Sequence, residues 1–258
     1  RKLAMKNYSI LTIAIASLGL GYVTSAATLE GQVALKGTPK KEITINMSTD
    51  PKCGALHTAP VTTRHYVTGA NGGLANVLVF VSEGLPEKEW PAPSNTPILD
   101  QQGCEYSPYV MGVRVDQKFK IKNSDPTLHN VHATPKPGSG NKEFNFAQPL
   151  KGMETVQSFA APEVPVRFKC DVHPWMFAYV GVFKHPFFAV TDKDGKFKIE
   201  GLPDGKYTVE AFHVKTHRGD GQGIKKAVEV SGDTKADPKA PSRRTPRPPA
   251  EPHGIAHY

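Results

Sequence analysis

The apolar residues of this 258-residue chain come in short alternating or β-branched runs, and long stretches with helical recurrence are scarce. The runs are broken by 23 glycines and 23 prolines, residues that stop strands and set turns. A chain patterned this way cannot bury its apolar side chains along helices. The expectation is therefore an all-β protein: strands at 28–35, 42–46, 64–68, 74–81, 109–115, 118–123, 155–159, 164–169 and 179–183. The run at 74–81, after Asn71-Gly72-Gly73, is nearly continuous in apolar character and suits a buried sandwich strand. In the stretch 118–123, Phe119 and Ile121 fall on one face. The Pro-rich stretch 84–97 reads as a surface loop carrying Trp90. At this length a well-buried core is available to one large or two small domains.

One short loop carries chemistry. Cys170-Asp171-Val172-His173-Pro174-Trp175-Met176 sets a thiolate, an imidazole and a thioether at successive three-residue steps. Upstream, Leu128-His129-Asn130-Val131-His132 offers two more imidazoles. Soft sulfur suits a reduced copper ion and imidazole suits both oxidation states, so these are the parts of a trigonal His2Cys site with a weak axial Met. Zinc sites favour Cys and His without a thioether, so Met176 argues for copper. A binuclear purple copper centre needs a second Cys in the loop, where none stands. The alternative reading is packing: a small buried Cys with a His and a Met beside an aromatic residue.

The Cys170–Met176 loop together with His129-Asn130-Val131-His132 resembles the type 1 copper centre of cupredoxins, nearest the amicyanin and plastocyanin group. That resemblance implies a Greek-key β-sandwich at 28–183 binding one type 1 copper ion. It implies equatorial ligands His129, Cys170 and His173 and an axial Met176. It further implies that Asn130 steadies the Cys loop, and that Pro174 and Trp175 lie beside an exposed edge of His173 where electrons pass. His132 is the other candidate for the upstream imidazole; the family pattern favours His129, immediately before Asn130-Val131.

With Cys170 assigned to the metal, Cys53 and Cys104 remain. Met5-Lys6-Asn7, the apolar run 10–23 and Ser25-Ala26-Ala27 read as a signal peptide within 1–27, cleaved after Ala26 or Ala27. Export to the periplasm or beyond follows, and an oxidising compartment permits a Cys53–Cys104 disulfide. Two free thiols are the other reading. The formal charge of +8 suits an acidic partner or anionic lipid, but much of it lies near the ends, at Arg1, Lys2, Lys6, Arg243, Arg244 and Arg247. No nucleic-acid motif accompanies it.

From 184 to 232 the signature changes to strand, Asp192-Lys193-Asp194-Gly195 turn, strand, Pro203-Asp204-Gly205 turn and strand. This segment resembles the carboxypeptidase regulatory-like, prealbumin-like β module, which implies a structural or adhesive role. The turn is not a calcium loop, since its Gly comes too early and no Glu stands at the twelfth position. The tail 233–258, rich in Pro and Arg, reads as extended or disordered, with His253 and His257 as weak metal binders at most. His57, His65, His185, His213 and His217 are scattered, and a second, type 2 copper would need several of them to converge. No Gly-x-Ser-x-Gly elbow, His-Glu-x-x-His motif or framed carboxylate pair is present, so no catalytic residue is assigned. Two functions follow: an electron carrier between redox partners such as a c-type cytochrome or a membrane oxidoreductase, or an accessory subunit of a larger envelope complex.

Overall fold

The computed structural model describes residues 26–69, 71–215 and 223–241. Residues 1–25 of the expected signal segment 1–27, His217 and the tail beyond 241 lie outside the described residues. Strands β1 (Ala26–Gln32) and β2 (Ala34–Lys36) precede the one-turn helix α1 (Pro51–Gly54) and strand β3 (Leu78–Glu83). Then come β4 (Ile98–Gln102), β5 (Glu105–Ser107), β6 (Val110–Arg114), β7 (Phe119–Asn123), β8 (His129–Thr134), β9 (Phe144–Gln148), β10 (Glu154–Gln157), β11 (Glu163–Lys169) and β12 (Phe177–Phe183). The chain continues through β13 (Phe188–Val190), β14 (Lys196–Pro203), β15 (Gly205–Phe212), β16 (Ile224–Val230), β17 (Thr234–Lys235) and β18 (Lys239–Pro241). The fold is all-β, as the sequence pattern requires. Among the described residues no helix is long and apolar enough to cross a membrane.

Two sheets form the sandwich that holds the candidate site, one ordered β10-β7-β4-β5 and the other β6-β12-β11-β8-β9. Their inner faces meet in one apolar cluster. Leu99, Tyr106, Phe119 and Ile121 come from the first sheet, and Val131, Val166, Phe168 and Val180 from the second. Alternation does the sorting: Phe119 and Ile121 are fully buried while the alternating Lys120 and Lys122 are not.

A second body has its own core of Leu29, Leu74, Val79, Ile199, Leu202 and Val209. Here the boundary drawn at 183/184 from sequence fails. Strand β3 lies between β13 and β15, and β1 pairs along β14, so early strands complete the sheets of the late ones. Local pattern marks strands but not their partners, and the near-continuous burial of Leu78–Val81 fits a central strand of either body. A third cluster, with Phe80, Tyr109, Val110, Phe183 and Phe212, joins the two.

Other expectations shift as well. Segments 42–46 and 64–68 make only isolated bridges, Thr44 to Thr62 and Thr68 to Leu74, in place of full strands. Trp90 is half-buried and meets Phe187 edge-on at 4.8 Å, so the 84–97 loop is anchored to the second core. Strands β4, β5, β8, β9, β16, β17 and β18 are additions to the expected set, and the last two correct the reading of the tail: its first residues pair with β1 and β2 and bury Ala236. The Asp192 turn carries the chain from one sheet to another in place of the expected hairpin, since β13 pairs with β3 and β14 with β1; its carboxylate accepts from the amides of Asp194 and Lys196.

Candidate metal centre

The site forms where β8 begins and β11 ends. Strand pairing brings Lys169 opposite His132 and so carries Cys170 alongside His129 and Asn130. The loop 170–176 closes on itself: the Met176 amide donates to the His173 carbonyl at 2.9 Å, and the Cys170 amide donates to the Met176 carbonyl at 3.2 Å. Cys170, His173, Met176 and His129 are all buried, and Cys170 and Met176 belong to the sandwich core.

The two imidazoles turn their Nδ1 atoms inward. His129 Nδ1 lies 3.1 Å from His173 Nδ1, and Cys170 Sγ lies 3.6 Å from His173 Nδ1. Bonds of about 2.0 Å to nitrogen and 2.3 Å to sulfur, at trigonal to tetrahedral angles, hold ligand atoms about 3.3–3.8 Å apart. The His129, Cys170 and His173 donors, all within 4.8 Å of one another, therefore fit a soft-to-borderline metal ion after small relaxations. Asn130 ties the loop to β8 and β9. Its amide points at Cys170 Sγ at 3.4 Å, its Oδ1 accepts from the Asp171 amide, and its Nδ2 donates to the Phe146 carbonyl.

Burial by itself would raise the Cys170 thiol. Hydrogen bonds with His129 and His173 and from the Asn130 amide outweigh it and bring the thiol down to about 6. A thiolate, the form that binds metal, is thus present at neutral pH.

Both outward Nε2 atoms meet carboxylates that the sequence reading did not single out. His129 Nε2 lies 2.9 Å from Asp125 Oδ2, and His173 Nε2 lies 3.0 Å from Asp50 Oδ2. A carboxylate there keeps the proton on Nε2 and leaves the Nδ1 lone pair free for a metal. Burial lowers both imidazoles, yet the carboxylates and Cys170 overcome this and hold both above the ordinary histidine value. Asp50 is the N-cap of α1, using Oδ1 to accept from the Lys52 amide and Oδ2 to reach His173. Asp125 is gripped by the β4–β5 turn, accepting from the amides of Gly103 and Cys104 at 2.7 Å each. That turn has two residues at positive φ, 65° at Gly103 and 54° at Cys104, a hairpin geometry glycine accepts freely and Cys104 does not.

Cys53 on α1 and Cys104 in the turn form a disulfide with Cα atoms 5.6 Å apart. It staples together the two elements that supply Asp50 and grip Asp125. The third residue missed is Tyr106, whose buried hydroxyl lies within hydrogen-bond reach of the Asn130 and Lys169 carbonyls, bridging the ends of β8 and β11 beneath the site. Burial raises this phenol, keeping its proton available.

The expected exposed edge of His173 is absent. His173 is 1% exposed, its outer nitrogen facing Asp50 and Cys53 Sγ at 3.5 Å. The segment before β4 covers it, a feature that the loop motif alone does not encode. Pro174 is exposed, and half-buried Trp175 lies tilted against His173, ring centroids 5.2 Å apart, and donates to the Cys104 carbonyl. His132 points away from the site into a surface network with Asp171 and Glu143. Lys169 and then His132 hold Asp171 down at about 2. His57 bonds the Gly103 carbonyl; among the described residues, groups with metal-ligand spacing involve only His129, His173, Cys53, Cys104, Asp125 and Cys170.

No family model and no curated protein matches the sequence. Several solved structures are similar to part of it. A Cu-containing nitrite reductase from Thermus scotoductus is 15% identical at a TM-score of 0.32, over 40% of this chain and 25% of that one. This chain thus spans only about a quarter of that enzyme. A purple cupredoxin from Nitrosopumilus maritimus is 28% identical at a TM-score of 0.26, over 30% of this chain and 81% of that one. A Cu(I) form of an amicyanin mutant is 18% identical at a TM-score of 0.30, over 40% of this chain and 97% of that one.

Proposed function

We propose that this chain is an exported type 1 copper protein that passes single electrons between redox partners such as a c-type cytochrome or a membrane oxidoreductase. The observation that carries the reading is the convergence of His129 Nδ1, Cys170 Sγ and His173 Nδ1 in one buried pocket at metal-ligand spacing. His129, Cys170, His173 and Met176 would hold the copper, which would supply one-electron exchange between Cu(I) and Cu(II). The residues around it hold the donors still: Asp125 and Asp50 fix the two rings, while Asn130 and Tyr106 fix the Cys170 loop. A rigid donor set lowers the cost of changing oxidation state, which suits a carrier. The second body, in which β1 and β3 complete the sheets of the 184–232 segment read as a carboxypeptidase regulatory-like module, serves as a structural extension.

One observation favours the second reading, an accessory subunit of an envelope complex built on the same sandwich: His173 is capped by α1 and has no exposed edge. Stopped-flow mixing of the reduced, copper-loaded protein with an oxidised c-type cytochrome separates the two. Rapid oxidation at a rate first order in cytochrome supports the carrier. A reduced centre that stays reduced for minutes, in a protein that co-purifies with a complex, supports the accessory role.

A further inference from the structure

The Cys53–Cys104 disulfide does more than join two loops. Its sulfurs and His173 Nε2 lie within 4.8 Å of one another, with Cys53 Sγ at 3.5 Å from that nitrogen. Asp50 Oδ2 reaches the same nitrogen from α1, and Asp125 stands on the other side, its carboxylate within 4.8 Å of Cys104 Sγ and a His129 nitrogen. Two sulfurs and an imidazole nitrogen converge on one buried spot, at the other end of the His173 ring from Cys170, with the Asp50 carboxylate beside that nitrogen. We infer that reduction of this disulfide opens a second metal site, with Cys53, Cys104, His173 Nε2 and Asp50 as donors, taking a thiophilic cation such as Cu(I) or Zn(II).

The chemistry balances with an external dithiol as reductant. It gives two electrons and two protons to the Cys53–Cys104 bond and becomes a disulfide itself, leaving two thiols on the chain. Metal binding then displaces the thiol protons, and the proton on His173 Nε2, to solvent. Tetrahedral bonds of about 2.3 Å hold two thiolates about 3.8 Å apart, a spacing that side-chain rotation supplies when the Cα atoms are 5.6 Å apart. Soft thiolates select Cu(I) and Zn(II) over harder ions. The two sites would share His173 through its two ring nitrogens, so the oxidised chain has one site and the reduced chain two adjacent ones. The inference stands apart from the electron-carrier reading, because the second site needs no Cys170.

The test uses full-length Cys170→Ser protein, in which Cys53 and Cys104 are the sole sources of thiolate. It is reduced anaerobically with dithiothreitol, freed of the reagent, checked for two titratable thiols, and titrated with Co(II) as probe. The expected result is one Co(II) per chain with an intense thiolate-to-cobalt band and tetrahedral d–d bands. The oxidised protein shows neither, and adding His173→Gln removes stoichiometric binding while the β-sheet circular dichroism persists. Reduced protein with two free thiols and no thiolate–cobalt band overturns the inference. So does a band undiminished by His173→Gln, or loss of the β-sheet signal on reduction, since the fold would then not hold the donors.

Discussion

Asp125→Asn is the sharpest single perturbation of the proposed centre, because its cost follows from three hydrogen bonds. Asp125 Oδ2 accepts from the Cys104 amide and faces His129 Nε2, while Oδ1 accepts from the Gly103 amide. An asparagine keeps its carbonyl oxygen where two donors converge, and so sets its NH2 against the Gly103 N–H. One buried donor then goes unsatisfied, costing about 1–3 kcal/mol. The negative charge behind His129 is also lost, so the ring becomes a poorer donor and its Nε2–H tautomer is held less firmly. Copper affinity should fall about 10- to 100-fold, or about 1.4–2.8 kcal/mol. Because the carboxylate favours the more highly charged Cu(II), the reduction potential should rise. Chelator competition gives the affinity, denaturant unfolding of the metal-free protein gives the stability, and a redox titration gives the potential. An Asp125→Asn protein matching the parent in all three would refute the role given to Asp125.

Replacing both Cys53 and Cys104 by Ala frees a loop of 51 residues in sequence separation and should cost about 4 kcal/mol, seen as a Tm lower by roughly 10 °C in calorimetry. In the metal-free protein Asp125 and Asp50 sit below their ordinary 3.8, so their contribution is present above that pH and lost as pH falls; His129 and His173 sit above 6.5, so theirs is complete below 6.5 and lost as pH rises through the raised values. Cys170, brought down to about 6, works in the opposite sense above that pH, so the clearest signature is on the acid side: the Tm of the metal-free protein should fall as pH drops through 3.8, and a flat profile there would contradict the pairing of the two carboxylates. Truncation after Phe183 removes both partners of β3 and bares Leu78, Val79 and Val81, so the product should aggregate; a folded monomer by gel filtration and circular dichroism would show that the sandwich does not need the later strands.

The parts legible in sequence were those coded by local spacing. The loop 170–176 carries its donors three residues apart, and β7 shows its buried face in Phe119 and Ile121. Long-range partners were not legible. Asp50 is 123 residues from His173, and nothing near it names that contact beyond an Asp-Pro helix start beside Cys53. Asp125, four residues before His129 and followed by Pro126, carried a weak local signal, a carboxylate held near the imidazole by a turn. Tyr106 looked like any strand aromatic. The pairing of β3 with β13 and β15 escaped for the same reason: an apolar run shows that a strand is buried and leaves open which sheet buries it.

The central claim is tested most directly by the visible and electron paramagnetic resonance spectra of the oxidised protein carrying one copper per chain, beside those of Cys170→Ser. An intense thiolate-to-copper band with narrow copper hyperfine splitting, both lost in Cys170→Ser, is the expected result. A colourless protein, or a band that survives the loss of Cys170, would contradict a type 1 centre at His129, Cys170 and His173.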